Sequence, residues 1–468
     1  MSPTFASCRV PNYRRWAIGA LVSNTGTWMQ RVAQDWLVLT QLSHESGVAV
    51  GITTGLQFAP VLLLLPVTGA VADRVNRRRL LMVTQAASAV LALVLGLLVL
   101  AGAATLAEVY LLAGLLGVVA AFDGPARQAF VSELVPREQL ANAVGLNSAS
   151  FHAGRLLGPG VAGLLIHRFG TGPVFLINAA SFCAVLVSLT RIRVQELRTG
   201  SRGRDRGGFG ESLRYLRSRP DLLAVLVIVG LVGTFGLNFQ LTTALVARVT
   251  FDKGAGEYGL LGSVMAIGSL AGALLAARRS RPGLGLIVVS TLAFGVVACV
   301  AALMPSYLTF ALALPPVGLC ALTMMTASNA LIQLSTPAHL RGRVMALYLA
   351  IFMGGTPLGS PLVGWIGQVW GPRWSILFGG LVAIAIAVLV GLTVLLPARR
   401  RRGSAGSPGT ASEKGTLEKG IPAVIATGRT VTTATPTSSQ RPAGRSARMA
   451  VPLGGLASED HGPNARPA

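Results

Sequence analysis

Charge is scarce in this sequence, and its scarcity excludes a soluble protein. Only 12% of the 468 residues are charged and 52% are hydrophobic, whereas soluble globular proteins carry roughly 25% charged residues. The charges also fall in clusters separated by long charge-free runs, such as residues 80–107, 169–190 and 282–340. A helix crosses the bilayer core with about 20 apolar residues, so each of these runs is long enough to cross it. The sequence therefore predicts a polytopic membrane protein.

Cysteine and lysine are also few. The four cysteines give no disulfide framework, because three fall in predicted helices and Cys8 lies before the first of them. None of the three lysines directly follows a glycine, which excludes the G-x-x-x-x-G-K-[ST] loop of ATP-driven proteins. No cluster of metal ligands and no nucleophile–base pair occurs at a suitable spacing. We therefore expect neither an enzyme nor a protein with a bound metal or cofactor.

Positive charge is abundant and lies mostly on one side of the predicted membrane protein. The formal net charge is +23, a value that is also found in nucleic-acid-binding proteins. Sorted by the helices predicted below, 34 of the 40 Lys and Arg fall on one face. This bias marks the cytoplasmic face, and anionic lipid headgroups explain it without a nucleic-acid partner. We expect a multi-pass protein of a bacterial inner or plasma membrane, with both termini cytoplasmic.

Charge clusters and Gly/Pro breaks divide the chain into twelve predicted membrane helices. Their approximate spans are residues 15–40, 48–72, 79–102, 106–127, 141–167, 172–192, 221–249, 256–279, 283–303, 306–334, 343–367 and 373–397. The longest connection follows the sixth helix. We predict an N-terminal six-helix half at 1–192, a basic cytoplasmic linker at 193–220, a C-terminal six-helix half at 221–397 and a disordered basic cytoplasmic tail at 398–468, where Ser, Thr, Pro and Gly are frequent.

The two halves resemble each other in sequence. At an offset of 201, eight residues of one half match identical residues of the other, such as Phe151 with Phe352, and Gly158 with Gly359. Two parallel six-helix repeats are the architecture of major facilitator transporters, which bind substrate between the halves near the bilayer midplane. The predicted fold is therefore an all-α membrane protein with twelve transmembrane helices in two six-helix repeats, the major facilitator fold.

The short loop after the second predicted helix carries a recognisable motif. Its motif residues are Gly69, Asp73, Arg74, Arg77 and Arg78. They resemble the signature loop of the major facilitator superfamily, G-x-L-A-D-R-x-G-R-[RK], with Asn76 in place of the usual Gly. In that superfamily the loop is a conformational latch. A simple basic anchor is the alternative, but it would not require an acid and a small residue at this spacing.

The fifth predicted helix carries small residues at regular intervals. They are Gly145, Gly154, Gly158, Pro159 and Gly163. This pattern is similar to the antiporter motif of the superfamily, G(x)8G(x)3GP(x)2GG, with Ala162 as the one departure. The motif accompanies proton-driven exporters in that superfamily, although small residues also serve ordinary close packing of helices. The Arg that drug exporters carry in the fourth helix is absent.

A closer resemblance covers residues 12–397. The segments 28–37, 125–130, 146–148 and 155–159 look like the enterobactin-exporter-like, or transmembrane secretion effector, branch of the superfamily. Members of this branch are exporters of siderophores, drugs and other small metabolites. The resemblance implies an exporter that works by alternating access of its two halves.

Asp35 and Arg31 are ionisable residues one turn apart in the first predicted helix. At this i, i+4 spacing they can pair. Burial favours the neutral acid whereas Arg31 favours the carboxylate, so a movement that separates them would load and release a proton. A static ion pair that neutralises both charges is the alternative. Both residues are our candidates for proton coupling, and protons are an expected partner.

Other polar and aromatic residues within the helices are candidates for the wall of a central cavity. They are Asn24, Trp28, Gln57, Phe58, Asn147, Phe151, His152, Arg155, Asn238, Asn329 and Phe352. Arg155 suits an anionic substrate, whereas a lone histidine such as His152 is more commonly a packing residue. Neutral polar residues also bridge helices, and the sequence does not separate the two uses.

We predict a monomeric, proton-coupled exporter of small molecules such as a drug, a siderophore or a secondary metabolite. An importer or facilitator of the same fold is one alternative, which would share the loop motif without needing the fifth-helix motif. A non-transporting membrane sensor or scaffold that binds a partner through its basic tail is the other. The loop motif and the repeat both argue against a scaffold.

Overall fold

The structure is a computed structural model. It describes residues 3–197, apart from positions 66, 69, 70 and 72–74, together with residues 209–277 and 283–395. The predicted tail at 398–468 lies outside this part of the chain. All regular secondary structure within the described ranges is helical.

Twelve long helices account for most of the described residues, one for each predicted span. They are α1 (Pro11–Leu37), α2 (Gly47–Leu63), α3 (Arg77–Leu100), α4 (Leu106–Leu134), α5 (Leu140–Phe169), α6 (Gly172–Thr190), α7 in two pieces, α7a (Pro220–Leu231) and α7b (Phe239–Leu245), α8 (Ala255–Ala277), α9 (Leu284–Ala302), α10 (Tyr307–Ser335), α11 in two pieces, α11a (Ala338–Gly354) and α11b (Thr356–Val369), and α12 (Pro372–Val390).

Nine of these helices, counting only described residues, are long and apolar enough to cross a membrane. The other three are α1, α2 and α5. The apolar helix α2 is merely shorter, whereas α1 and α5 carry ionisable residues that include Arg31, Asp35 and Arg155. The polarity of α1 and α5 makes them the first places to look for a functional site.

Short polar residues fix where several helices begin. The Thr105 hydroxyl accepts a hydrogen bond from the backbone N–H of Glu108, whose carboxylate accepts one from the Thr105 N–H at 2.8 Å. Ser306 and Thr309 cap α10 in the same reciprocal manner, whereas Asn76 caps α3 only by accepting from the Arg79 N–H. At its other end α4 runs to Leu134, seven residues beyond its predicted end at 127. The predicted span ended too early because charged residues lie near this end of the helix.

Two helices are broken, which the sequence analysis did not predict. A π-helical turn at Val232–Gly236 precedes the break in α7. At the break the Asn238 amide donates to the Thr234 carbonyl oxygen at 2.7 Å, and its own oxygen accepts a hydrogen bond from Ser360 of α11b at 2.7 Å. In α11 the helix is interrupted at Gly355, whose backbone angles stay helical. Irregular backbone is tolerated at membrane depth only where protein or water satisfies it. In α7 the Asn238 side chain satisfies the Thr234 carbonyl oxygen, and Ser360 of the facing helix holds that side chain in place.

Each half packs mainly on itself, and the halves meet along two pairs of helices, α2 with α11b and α5 with α8. Small residues make both approaches possible. A Cβ atom on Gly47 would lie 2.5 Å from the Gly364 carbonyl oxygen, and one on Gly163 would lie 2.6 Å from the Ala255 carbonyl oxygen. The backbones of the two halves are therefore in direct contact.

These contacts continue at the face where α1 ends and α2 begins, which we call the loop face. Here Glu45 forms an ion pair with Arg248 at 2.8 Å, and the Ser46 hydroxyl donates to the Gln368 side-chain oxygen at 2.8 Å. Both links join the N-terminal half to the C-terminal half. The opposite face, where α1 begins and α12 ends, we call the terminal face. Direct links between the halves thus close the loop face.

Part of the predicted linker is an amphipathic helix, Phe209–Arg217. Its Tyr215 hydroxyl donates to the Ser335 carbonyl oxygen at 2.7 Å, and its Glu211 lies 3.5 Å from Arg343. Leu216 is fully buried. The linker helix therefore packs against the C-terminal half at the terminal face.

Candidate functional site

A cavity of about 220 Å³ lies between the two halves. Its wall is built by α1, α2 and α5 from one half and by α7, α8, α10 and α11 from the other. Five of the predicted cavity residues line it, namely Trp28, Phe58, Arg155, Asn238 and Phe352. Both helix breaks also open onto it, through residues that include Leu237 and Thr356. The cavity therefore lies where the backbone departs from regular helix.

Two guanidinium groups and an indole ring occupy the N-terminal half of this wall. Arg31 lies over the Trp28 ring at 5.1 Å and over the Phe58 ring at 5.3 Å. Arg155 of α5 lies over the Trp28 ring at 5.5 Å. These cation–π contacts hold both guanidinium groups at the cavity surface.

Asp35 does not form the expected direct ion pair with Arg31. Asp35 is only 3% exposed, and its carboxylate lies beside the Tyr258 hydroxyl of α8. The Tyr258 hydroxyl also reaches the Gln240 carbonyl oxygen at 3.2 Å, and its ring stacks on Trp36 at 5.7 Å. The pair is separated because Arg31 turns toward the cavity rings, whereas Asp35, one turn nearer the loop face, meets α8.

Six predicted cavity residues lie outside this lining. They are Asn24, Gln57, Asn147, Phe151, His152 and Asn329. The Asn24 amide donates to the Ser150 hydroxyl at 3.0 Å and so joins α1 to α5. Asn329 accepts from Gln333 of its own helix at 2.6 Å. Phe151 packs edge-on against Trp28 at 5.6 Å and also against the His152 ring at 5.8 Å.

Sequence reasoning missed Tyr258 and the cavity methionines Met265, Met325 and Met353. All four lie in charge-free apolar runs, where no charged residue marks a candidate site. A signal for Tyr258 does exist, since a tyrosine hydroxyl buried in a membrane helix needs a hydrogen-bond partner. The methionines carry no such signal, because Met is also an ordinary residue for filling space between helices.

The loop motif is described in part. Gly69, Asp73 and Arg74 lie outside the described residues. Arg77 forms an ion pair with Glu133 of α4 at 2.7 Å, and the Arg78 side chain donates to the Leu189 carbonyl oxygen at the end of α6 at 2.8 Å. These two arginines tie the start of α3 to neighbouring helices of the same half.

The small residues of α5 have different neighbours. A Cβ atom on Gly158 would lie 2.6 Å from the Cβ atom of Trp28, and one on Gly154 would lie 2.8 Å from the Asn24 backbone. Gly163 instead meets α8, and Pro159 lines the cavity. Gly145 has no neighbour within 4 Å of such a Cβ position. Close packing in this conformation thus explains three of the four glycines.

The sequence of the chain also matches a known protein family. Residues 2–412 match the sequence model of the transmembrane secretion effectors, a span that contains all twelve helices. The chain belongs to the transmembrane secretion effector family. This family lies within the major facilitator superfamily, whose members are transporters and not enzymes. The resemblance to this branch and the predicted fold class are confirmed.

Similar proteins include a multidrug efflux pump, a siderophore exporter and a further transporter, all from bacteria. The multidrug efflux pump Tap of Mycolicibacterium fortuitum is 28% identical over 407 residues, which cover 83% of this chain and 96% of Tap. The enterobactin exporter EntS of Shigella boydii is 26% identical over 78% of this chain and 86% of its own. The staphyloferrin A transporter of Staphylococcus aureus is 23% identical over 78% of this chain and 91% of its own.

Solved structures agree on the fold. A bacterial homologue of the human lysosomal transporter Spinster, in an inward-facing and unoccupied conformation, has a TM-score of 0.64 at 17% identity and covers 85% of this chain and 99% of its own. The nucleoside transporter NupG has a TM-score of 0.67 at 11% identity, over 82% of this chain and 100% of its own. This transmembrane secretion effector is therefore a multi-pass transporter of small molecules, of a kind found in bacterial membranes.

Proposed function

We propose that this transporter is a proton-coupled exporter of small molecules that works by alternating access of the central cavity. Its relatives include a multidrug efflux pump and an enterobactin exporter, which supports the outward direction. The observation that carries the coupling is the contact between the buried Asp35 of one half and the Tyr258 hydroxyl of the other, beside the closed loop face.

The hydrogen bonds that Tyr258 can form depend on whether Asp35 carries a proton. A tyrosine hydroxyl has one proton to donate, but Tyr258 faces two acceptors, the Asp35 carboxylate and the Gln240 carbonyl oxygen. When Asp35 is ionised, only one acceptor can be served. When Asp35 carries a proton, it donates to Tyr258 while Tyr258 donates to Gln240. Protonation therefore serves both acceptors within the closed interface, whereas an ionised Asp35 buries a charge and leaves one acceptor without a donor, which favours opening of the loop face.

The effect of protonation on the loop face has the direction that a proton antiporter requires. A carrier protonated at Asp35 keeps its loop face closed and returns to the conformation that loads substrate. A carrier that has released the proton holds the loop face less firmly and can open there with substrate bound. Arg31, one helical turn from Asp35 on α1, is the cation nearest to it along the chain. Arg31 favours the ionised form and so assists proton release.

We also propose that the terminal face is cytoplasmic and that both termini lie on that side. Basic residues support this assignment, since Arg14, Arg15, Arg77, Arg191 and Arg214 all belong to the terminal face by helix order. The conformation is then closed to the outside, as an exporter is when it loads. Because one chain builds the whole cavity, we propose a monomer, with the halves and linker divided as the sequence predicts.

The test has two stages. Metabolites inside and outside cells with and without the transporter are compared first, to find the exported compound. Uptake of that compound is then followed in everted membrane vesicles with a pH gradient, for Asp35→Asn beside the wild type. We expect Asp35→Asn to lose at least about tenfold of uphill transport, because the amide does not titrate, and to retain downhill exchange.

The control is Glu138→Gln, an exposed acid in the short turn before α5, which should transport normally. Unchanged uphill transport and unchanged pH dependence in Asp35→Asn would refute the coupling role. Accumulation in right-side-out vesicles instead of everted vesicles would establish an importer. If no compound depends on the transporter in either orientation, the proposed function is wrong.

A further inference from the structure

We propose that the cavity binds organic anions that carry an aromatic ring, held by Arg31 and Arg155 against Trp28. This inference rests on the proposed function, because it names the substrate class of the same cavity. It depends on three features of the described cavity wall: its charge balance, its rings and its volume.

The charges of the cavity do not balance. Neither Arg31 nor Arg155 has a hydrogen bond or ion pair with any side chain or carbonyl in the described ranges; their contacts are with aromatic rings. Both guanidinium groups lie over the same Trp28 ring. Of the described lining residues, none is Asp or Glu, and the nearby Asp35 can balance only one of the two cations. At least one positive charge is left without a partner.

An unbalanced charge within a membrane protein is costly and marks a ligand or ion pathway. A bound anion would supply the missing partner, and its carboxylate can accept paired hydrogen bonds from an arginine fork. A cationic substrate would add a third positive charge, and a neutral one would leave the guanidinium groups unpaired. Charge balance therefore favours an anion over both.

The aromatic rings of the cavity wall and the volume of the cavity indicate the uncharged part of the bound anion. Trp28, Phe58 and Phe352 present aromatic surfaces, while Met265 and Met325 offer polarizable sulfur that packs well against rings. An engineered protein cavity of about 150 Å³ accepts benzene. A cavity of about 220 Å³ therefore has room for a one- or two-ring core.

Binding of three small probes tests the substrate class. Equilibrium dialysis with the purified full-length transporter in nanodiscs compares 1-naphthoate, its neutral amide 1-naphthamide, and the aliphatic anion decanoate. Hydrogen bonds to charged groups stabilise by about 1.5–3 kcal/mol, which corresponds to roughly ten- to a hundredfold in affinity. We expect naphthoate to bind at least about tenfold more tightly than the amide, and more tightly than decanoate.

Variants at Arg155 test whether this residue causes the preference for the acid over the amide. Arg155→Gln should bind acid and amide alike, whereas Arg155→Lys keeps the charge and should keep the preference for the acid. Arg168→Gln, on an exposed residue at the far end of the same helix, is the matched control and should bind as the wild type does. Comparing Gln with Lys at position 155 separates loss of charge from loss of folding.

The outcomes are distinct. Equal binding of acid and amide by the wild type, no saturable binding of naphthoate below about 10 mM, or an unchanged preference in a folded Arg155→Gln protein would each overturn the proposal. No gradient is present in this assay, so it does not depend on export. A transporter that binds naphthoate selectively but exports nothing would refute the proposed function and leave the binding class standing.

Discussion

Three charged residues lie in the interior of α1 and α5, and two of them share a neighbour. Arg31 lies on aromatic rings, Arg155 lies on the same indole, and Asp35 meets Tyr258 of the other half. The sequence alone identified all three charged residues, because charge in an apolar helix is easily recognised. It could not predict their partners, because spacing along a helix does not say which neighbouring helix a side chain faces.

Tyr258→Phe should separate the hydroxyl from the ring. The phenyl group keeps the stacking on Trp36, but it can neither accept from a protonated Asp35 nor donate to Gln240. We expect uphill transport in everted vesicles to fall about fivefold with normal membrane abundance, because one hydrogen bond contributes about 1 kcal/mol. Tyr307→Phe, which removes a hydroxyl that donates to the Glu257 carbonyl oxygen at 2.9 Å, is the control. Full uphill transport by Tyr258→Phe would show that Asp35 acts without it.

The helices themselves were largely predictable from the sequence. Every predicted span corresponds to an observed helix, because long apolar runs and Gly/Pro breaks control membrane helices directly. The breaks within α7 and α11 were not predictable. Asn238 stabilises the first of them through Thr234 and Ser360, and Ser360 is 122 residues away in the sequence. A contact of that kind depends on tertiary packing, which no local pattern contains.

Two glycines of α5 should respond differently to the same substitution. Gly158→Ala would place a methyl group 2.6 Å from the Trp28 Cβ atom, so α1 and α5 must move apart. We expect a loss of about 1–3 kcal/mol, typical of overpacking, and a lower melting temperature by fluorescence-detected size-exclusion chromatography. Gly145→Ala meets no neighbour and should be neutral or slightly stabilising, since Ala favours helix by up to about 1 kcal/mol. Equal effects at both positions would contradict the packing described for α5.

At the scale of the whole molecule, the loop face is held by polar links between the halves. The Glu45–Arg248 ion pair and the Ser46–Gln368 hydrogen bond are partly exposed to solvent, and each contributes little by itself. Several weak links suit a gate that must open in every cycle. The sequence suggested two halves, but not which connections meet, because these residues stand in unremarkable loops.

Cross-linking tests whether this gate must open. Ser46→Cys and Gln368→Cys, in a background without the four native cysteines, should be joined by a short thiol-specific reagent. We expect transport to stop when the link forms and to return on reduction, because the loop face can no longer separate. Each single variant treated with the same reagent is the control. Continued transport by the fully cross-linked protein would exclude opening at this face.

Orientation in the membrane is tested by labelling. Ala103→Cys lies in the exposed connection between α3 and α4 on the loop face, and Ser218→Cys lies just after the linker helix on the terminal face. An impermeant maleimide added to intact cells should label Ala103→Cys and leave Ser218→Cys unlabelled until the cells are broken. Labelling of Ser218→Cys alone would invert the assigned topology.

Gly145 has no packing reason to be small in this conformation, since open space surrounds its Cβ position. A second conformation would supply the reason if the terminal halves of α5 and its neighbours close there when the loop face opens. A bulky residue would then act as a wedge that excludes one conformation without disturbing the other. Gly145→Trp should therefore hold almost every molecule open toward the terminal face, and so provide a homogeneous sample for structure determination with bound ligand.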